Sequence, residues 1–186
     1  TWYQLNMNDT RLLWDDNLVP CDMDTKGCDK VCLDVNAKDY SDIENAVLTG
    51  AGKEADVLFE AGVTNTLLVN ADKETNGQTL YINVNGNDKS QSGKIIVNVE
   101  DNVTFTIIEN FKGESSTEGR VALRTLIDTG LNSKVRLIQV YMQPESIDVL
   151  SDTGCRLSDN ASFEIVQVFV GRGSLYDGIR TELIGN

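Results

Sequence analysis

The sequence predicts a mainly β fold, a solenoid in which about two strands make each rung. Two observations carry that prediction. One short pattern occurs three times, as Asn102-Val-Thr-Phe-Thr-Ile-Ile-Glu109, Asn132-Ser-Lys-Val-Arg-Leu-Ile-Gln139 and Asn160-Ala-Ser-Phe-Glu-Ile-Val-Gln167, at spacings of 30 and then 28 residues. Upstream of each copy the alternate positions are again strand-type: Ile95, Val97, Val99, then Thr125, Ile127, Thr129, then Thr153, Cys155, Leu157. A repeat of this length cannot bury its apolar face alone and does so by stacking on its neighbours.

Residues 1–56 read as an N-terminal segment and residues 57–186 as the β-helix core. In the first part Trp2, Tyr3, Leu5 and then Leu12, Leu13, Trp14 suggest short extended pieces. Ser41-Asp-Ile-Glu44 has the form of a capping box, and Ile43, Ala46 and Val47 fall at i, i+3 and i+4. One helix is therefore expected over about 41–49, ended by Gly50. From Val57 the texture is β, with Val57-Leu-Phe-Glu60, Thr66-Leu-Leu-Val69, Thr79-Leu-Tyr-Ile-Asn-Val84 and Lys94-Ile-Ile-Val-Asn-Val99 divided by Gly, Asn and Asp turns. The polar stretch Asn85 to Gly93 is too long for a two-residue hairpin and predicts a protruding loop.

Within the repeats the apolar alternation changes phase at one place. Phe163 and Ile165 share one face and Val166, Val168 and Val170 the next, while Val135 and Leu137 give way to Ile138, Val140 and Met142. A recurring change of phase predicts a bend or bulge. The Asn that opens each copy suits a tight turn between the two strands of a rung, because Asn tolerates left-handed backbone. The connections Asn110 to Gly119, Gln143 to Leu150 and Gly171 to Gly178 would close the rung on its other side. A fourth copy begins at Thr181 and Leu183, and the chain then stops partway through a rung, having begun at Thr1 without Met. It reads as a piece of a longer protein, truncated at its C-terminal end, whose open β-helix end offers a dimer contact.

The chain carries 16 basic and 29 acidic side chains, a formal charge of −13, which argues against nucleic acid and anionic lipid as partners. No apolar run reaches the roughly 18–20 residues that cross a bilayer. His is absent, removing the commonest neutral-pH acid/base group and metal ligand, so the reading is of a non-enzyme without a metal or cofactor of its own.

Each candidate for chemistry has a structural reading beside it. Cys21, Cys28 and Cys32 are spaced C-x6-C-x3-C, which matches no standard zinc or ferredoxin pattern, and Cys155 sits where the other copies have Val97 and Ile127, as a buried thiol. Gly171-Arg172-Gly173 lacks the Gly-Lys-Ser/Thr ending of a nucleotide loop and reads as a rung connection. Arg124 and Arg180 recur at one repeat position and read as a ladder on the solvated face, with the grip of an acidic partner as the alternative. Asp22 and Asp24 lie outside the repeats, and no dense carboxylate cluster lies inside them. Asn102-Val-Thr104 and Asn160-Ala-Ser162 spell glycosylation acceptors that matter only in a secreted protein.

Val103 to Phe111, Asn132 to Val140 and Ala161 to Gly171 resemble the core of the SufB/SufD family of iron–sulfur cluster assembly proteins, and the opening Thr1-Trp-Tyr-Gln-Leu-Asn-Met-Asn8 resembles short SufD-like members. The resemblance covers most of residues 57–186 and rests on structural motifs. It implies a flattened right-handed parallel β-helix, pairing of SufB-type with SufD-type subunits, a SufC-type ATPase partner and a cytoplasmic location. The family's cluster ligands and ATPase-docking helices lie towards its C-terminus, beyond residue 186, so no functional family residue maps onto this chain. Any iron–sulfur cluster would belong to the full complex. The alternatives are an extracellular β-solenoid adhesin or carbohydrate-binding module, and a polysaccharide-cleaving solenoid that would need a carboxylate cluster.

Overall fold

Alternating side chains let each strand of this chain bury one face, and the fold follows from how those faces are stacked. The computed structural model describes Trp14 and residues 17–33, 40–62, 65–114, 116 and 118–185. The extended pieces expected at Trp2, Tyr3, Leu5, Leu12 and Leu13 lie outside these residues. Three short strands come first, β1 (Val19–Pro20), β2 (Asp22–Lys26) and β3 (Val31–Leu33), followed by helices α1 (Ser41–Ala46) and α2 (Lys53–Ala61). Then come β4 (Asn65–Ala71), β5 (Thr79–Gly86), β6 (Ser90–Val99), β7 (Thr104–Gly113), β8 (Gly119–Thr129), β9 (Lys134–Tyr141), β10 (Ile147–Leu157), β11 (Ser162–Phe169) and β12 (Leu175–Leu183).

The even-numbered strands from β4 to β12 form one parallel sheet, and β5, β7, β9 and β11 form the other. This is a parallel β-solenoid of about four turns, as the repeats require. Val69, Val97, Ile127 and Cys155 stand directly beside one another in the first sheet, all within 1% of complete burial. The corner between the sheets is also as expected. Asn102, Asn132 and Asn160 have φ of 61°, 55° and 57°, the left-handed region that Asn enters at least cost among side chains larger than Gly. Asn132 Nδ2 donates to Asn102 Oδ1 at 3.3 Å, so the corners are laddered as well.

The N-terminal strands are part of the same sheets. β2 pairs antiparallel with β5 and β3 antiparallel with β4, while β1 lies parallel to β6 at Gln91 and Ser92, just before β4 takes over that edge at Gly93. Cys21 fills the seam between β1 and β4. Its backbone N donates to Ser92 O at 2.9 Å, and a Cβ on Gly93 would stand 2.9 Å from the Cys21 Cβ, so that position needs glycine.

Several local expectations are corrected. The capping box does not form: Ser41 is the first residue of α1, the N-cap is Tyr40, and no side chain caps the helix. α1 ends at Ala46 instead of extending to about 49, and Val47 is extended, buried with Ile43 on Leu68, Ile96 and Leu126. Val57-Leu-Phe-Glu60 is the second half of α2, not a strand; Ala55 and Phe59 bury one helical face on Ala122 and Leu150 while Val57 is exposed. An apolar run this short has no period of its own to distinguish helix from strand. The loop expected from Asn85 to Gly93 is mostly strand, because β6 begins at Ser90 and only residues 87–89 connect it to β5. The long connections shrink in the same way, since β8, β10 and β12 begin at Gly119, Ile147 and Leu175.

The change of phase in the repeats is not a bulge. β9 and β7 keep strict inward–outward alternation to their ends. Glu109 and Gln139 occupy inward positions, and the apolar Ile108, Ile138 and Val166 face outward. Polar residues inside and apolar residues outside imitate a shifted period.

Arg124 and Arg180 do not share a ladder either. Arg124 stands beside Lys94 and Asp152, whereas Arg180 stands beside Gly154, two positions further along the sheet, because the last rung is shorter. Arg180 is on the surface with Glu182, but Arg124 is largely covered. Its Nε and Nη2 donate to Asp152 Oδ2 at 2.9 and 2.7 Å, Nη2 also reaches Asp56 Oδ1 at 2.7 Å, and its guanidinium lies 4.4 Å over the Phe59 ring. Asp152, fully buried, also accepts from the backbone N of Gly50 and Ala51. This ion pair therefore pins α2 and the linker before it to the outer face of the first sheet, while Lys94 Nζ holds α1 through Glu44 Oε1 at 3.0 Å.

Two outcomes follow from these contacts. Arg124→Ala leaves Asp152 buried without its cation and is expected to lower stability by about 3–5 kcal/mol in urea denaturation. Asn132→Ala is expected to cost about 1–2 kcal/mol for the left-handed corner, and Asn132→Gly to recover most of that loss.

Candidate functional site

The inward face of the second sheet repeats one order of side chains in three rungs. It reads Phe105, Ile107, Glu109, Phe111, then Val135, Leu137, Gln139, Tyr141, then Phe163, Ile165, Gln167, Phe169, each residue beside its counterpart. Aromatic rings stack at the fourth position, Phe111 on Tyr141 at 4.8 Å between centroids and Tyr141 on Phe169 at 5.4 Å. The third position is a polar column inside an otherwise apolar core.

The first sheet supplies the partners of that column. Thr125 Oγ1 donates to Glu109 Oε1 at 2.7 Å and Gln139 Nε2 to Glu109 Oε2 at 2.9 Å. Gln139 Nε2 also lies 3.1 Å from Ser151 Oγ and 3.3 Å from Thr153 Oγ1. The Tyr141 hydroxyl sits 3.0 Å from Gln139 Oε1, 3.0 Å from Ser151 Oγ and 3.3 Å from Asp177 Oδ1. Gln167 Nε2 reaches Gln139 Oε1 and Asp177 Oδ2, both at 2.9 Å. A hydrogen-bonded line thus runs from fully buried Glu109 to exposed Asp177.

Burial pushes the Glu109 carboxyl above the usual range; the bonds from Gln139 and Thr125 oppose that rise, and the charge of Asp177 adds to it. Burial likewise raises the Tyr141 phenol. None of the partners named for Glu109 is a cation. What this arrangement favours chemically is the protonated form of a carboxyl in the core.

The residues singled out from the sequence lie elsewhere. Cys21 and Cys28 are free thiols in the hydrophobic core, and Cys32 is in β3 opposite Leu68. Burial raises the Cys21 thiol, and it raises Cys155 to about 12, so both are core groups and poor nucleophiles. Among the described residues no group of three or more His, Cys, Asp or Glu is placed to hold a metal ion. In the Gly171-Arg172-Gly173 turn, the backbone N of Gly171 and Arg172 donate to Tyr141 O and Gln143 O, so these donors are spent within the rung. Asp22 and Asp24 lie on the outward side of β2, where Asn83 and Asn85 donate to Asp24 and hold its carboxyl below the usual range. Asn102 and Asn160 are exposed at the corners.

The polar column was written in the sequence. Each repeat copy ends on Glu or Gln at the same position, Glu109, Gln139 and Gln167, and that recurrence was the available signal.

Compared with known proteins, the chain matches no family model, no curated protein and no solved structure. Among the described residues no helix is long and apolar enough to cross a membrane.

The upward shift at Glu109 has a defined sign in stability. A carboxyl whose folded pKa is raised stabilises fully below its unfolded value, near 4.3, and the contribution is lost as pH rises through the folded value. Glu109→Gln supplies a neutral side chain of the same shape at every pH. The variant is expected to gain on the parent as pH increases, and urea midpoints measured between about pH 5 and pH 8 would show the gap widening. A constant gap would mean that Glu109 titrates normally.

Proposed function

We propose that this chain is part of a scaffold subunit of the SUF iron–sulfur cluster assembly machinery, acting in the cytoplasm through a SufB- or SufD-type partner and a SufC-type ATPase. The likeness of Val103 to Phe111, Asn132 to Val140 and Ala161 to Gly171 to the SufB/SufD core supports the family, and the parallel solenoid is the fold that likeness implies.

One observation carries the scaffold reading. Among the described residues β11 pairs with β9 and β12 with β10, and neither has a partner on its other side. Beside those edges stand Phe169 at 63% exposure, Val170 at 68% and Leu183 at 78%. Antiparallel β2 and β3 cover the opposite end. Large apolar side chains beside an edge unpaired among the described residues support docking of further β structure there, and the partner subunit is the occupant proposed here.

Co-expression of the full-length protein with its SufC-type ATPase and SufB- or SufD-type partner tests the reading. A stable co-purifying complex is expected, and Phe169→Asp should weaken association with the partner subunit by about tenfold or more. A protein that ignores both partners and binds glycans would instead be the extracellular adhesin or carbohydrate-binding module.

A further inference from the structure

The outward face of the second sheet is apolar along its middle. Tyr81, Ile108, Ile138 and Val166 stand side by side across β5, β7, β9 and β11, and Val140 and Val168 continue the patch at the next outward position. Tyr81 is 44% exposed, Val166 37% and Val168 39%. Helices α1 and α2 pack on the outward face of the first sheet, and among the described residues no helix covers the second. An apolar column carried outward by four successive strands is a contiguous patch, and such patches mark contact surfaces.

We propose that this face binds a second copy of the chain, sheet on sheet, about a two-fold axis that runs parallel to the strands between β7 and β9. Size and charge favour that occupant. Four strands about 4.8 Å apart, each paired over eight residues of about 3.3 Å, cover roughly 500 Å². Two such faces hide about 1,000 Å², the size at which specific interfaces begin. A net charge of −13 makes copies of this chain repel one another. On these four strands the outward charges are Lys112, Lys134, Arg136 and Glu164, so the face itself is not acidic.

The axis makes the face complementary to itself. It lays β7 of one copy on β9 of the other, and β5 on β11. Ile108 then meets Ile138 of the second copy, and Tyr81 meets Val166. Each charged side chain meets a neutral one: Arg136 faces Thr106, Glu164 faces Thr79, Lys134 faces Thr104 and Lys112 faces Met142. Asn110 and Asn83, which come opposite Val140 and Val168, are bonded within their own sheet. Asn110 Nδ2 donates to Asn83 Oδ1 at 3.2 Å, and Asn83 Nδ2 to Asp24 Oδ1 at 2.7 Å. Stacked sheets keep their strand directions within about 30° of one another, so the pairs nearest the axis, Ile108 with Ile138, stay in contact. The contact uses a sheet face and no strand edge, which separates it from the SUF reading.

Sedimentation velocity of the purified chain between about 1 and about 300 μM tests the proposal. A reversible monomer–dimer equilibrium is expected. It should hold or tighten as salt rises from about 0.05 to about 0.5 M, because screening weakens the repulsion between acidic copies. Ile138→Glu is expected to raise the dissociation constant about tenfold or more. Val140→Thr combined with Val168→Thr keeps the side-chain shape on a face that the monomer leaves in water, and is expected to raise it about threefold or more. In dimers with one copy isotope-labelled, nuclear Overhauser contacts are expected between the Ile108 methyls of one copy and the Ile138 methyls of the other. A chain that stays monomeric over this range would overturn the proposal, as would a dimer that salt dissociates, one indifferent to both sets of substitutions, or one lacking those methyl contacts. A dimer broken by Leu183→Asp and untouched by Ile138→Glu would place the contact at the strand edges and overturn it as well.

Discussion

In-register parallel stacking is the constraint on which the rest of this structure depends. Each rung satisfies its backbone N–H and C=O groups on the rungs beside it, so a strand cannot slip by one residue without turning its core face outward. The left-handed corners enforce the register. Asn102 N donates to Leu131 O and Asn132 N to Asp159 O, and Asp101 Oδ1 accepts from Leu131 N at 2.7 Å, so each corner is bonded to the next as firmly as the strands are. Once the corners are aligned, Val97, Ile127 and Cys155 have no other place to go than one column.

The same constraint explains why a polar column can exist in the core. A buried amide or carboxyl with no bond costs about 1–3 kcal/mol, so an isolated polar residue would select against the rung that carries it. Stacking places the polar residue of every rung beside the next one. Gln139 spans that gap in both directions, donating to Glu109 and accepting from Gln167, with the hydroxyls of Ser151 and Thr153 close to its Nε2 across the core. A register error would leave several such groups unbonded at once, which makes the column a device for specifying register.

How much of this was legible depended on whether a feature repeats. The solenoid, the left-handed Asn corners and the Val97–Ile127–Cys155 column follow from residues that recur at a fixed spacing. Features that occur once were misread. Helix α2 has no copy elsewhere, and Val57-Leu-Phe-Glu60 is too short to show a helical period. The stretch from Asn85 to Gly93 read as a loop because its Ser90, Gln91 and Ser92 are polar, yet all three are buried, and β1 pairs beside Gln91 and Ser92, a contact between distant parts of the chain. The polar column recurs and was still missed, because apolar Ile138 and Val140 on the outside were taken as core. Sequence alternation gives the spacing of the faces, and only packing says which face is covered.

Two fully buried carboxyls show how differently one chain of net charge −13 can place acid in its interior. Asp152 faces the helices and meets a guanidinium at 2.7 Å and the backbone N of Gly50 and Ala51, so its charge is matched where it forms. Glu109 faces the solenoid core and meets a hydroxyl and an amide, which donate bonds and supply no charge. Removing a carboxylate from water costs several kcal/mol, and neutral donors return only about 1.5–3 kcal/mol apiece, whereas a close cation in a covered site can offset most of the penalty. Asp152 is therefore suited to a fixed structural role, holding the linker between α1 and α2 and, through Arg124, α2 against the sheet. Glu109 is the carboxyl whose burial favours the neutral form, and its line of bonds leads through Gln139 and Gln167 to exposed Asp177.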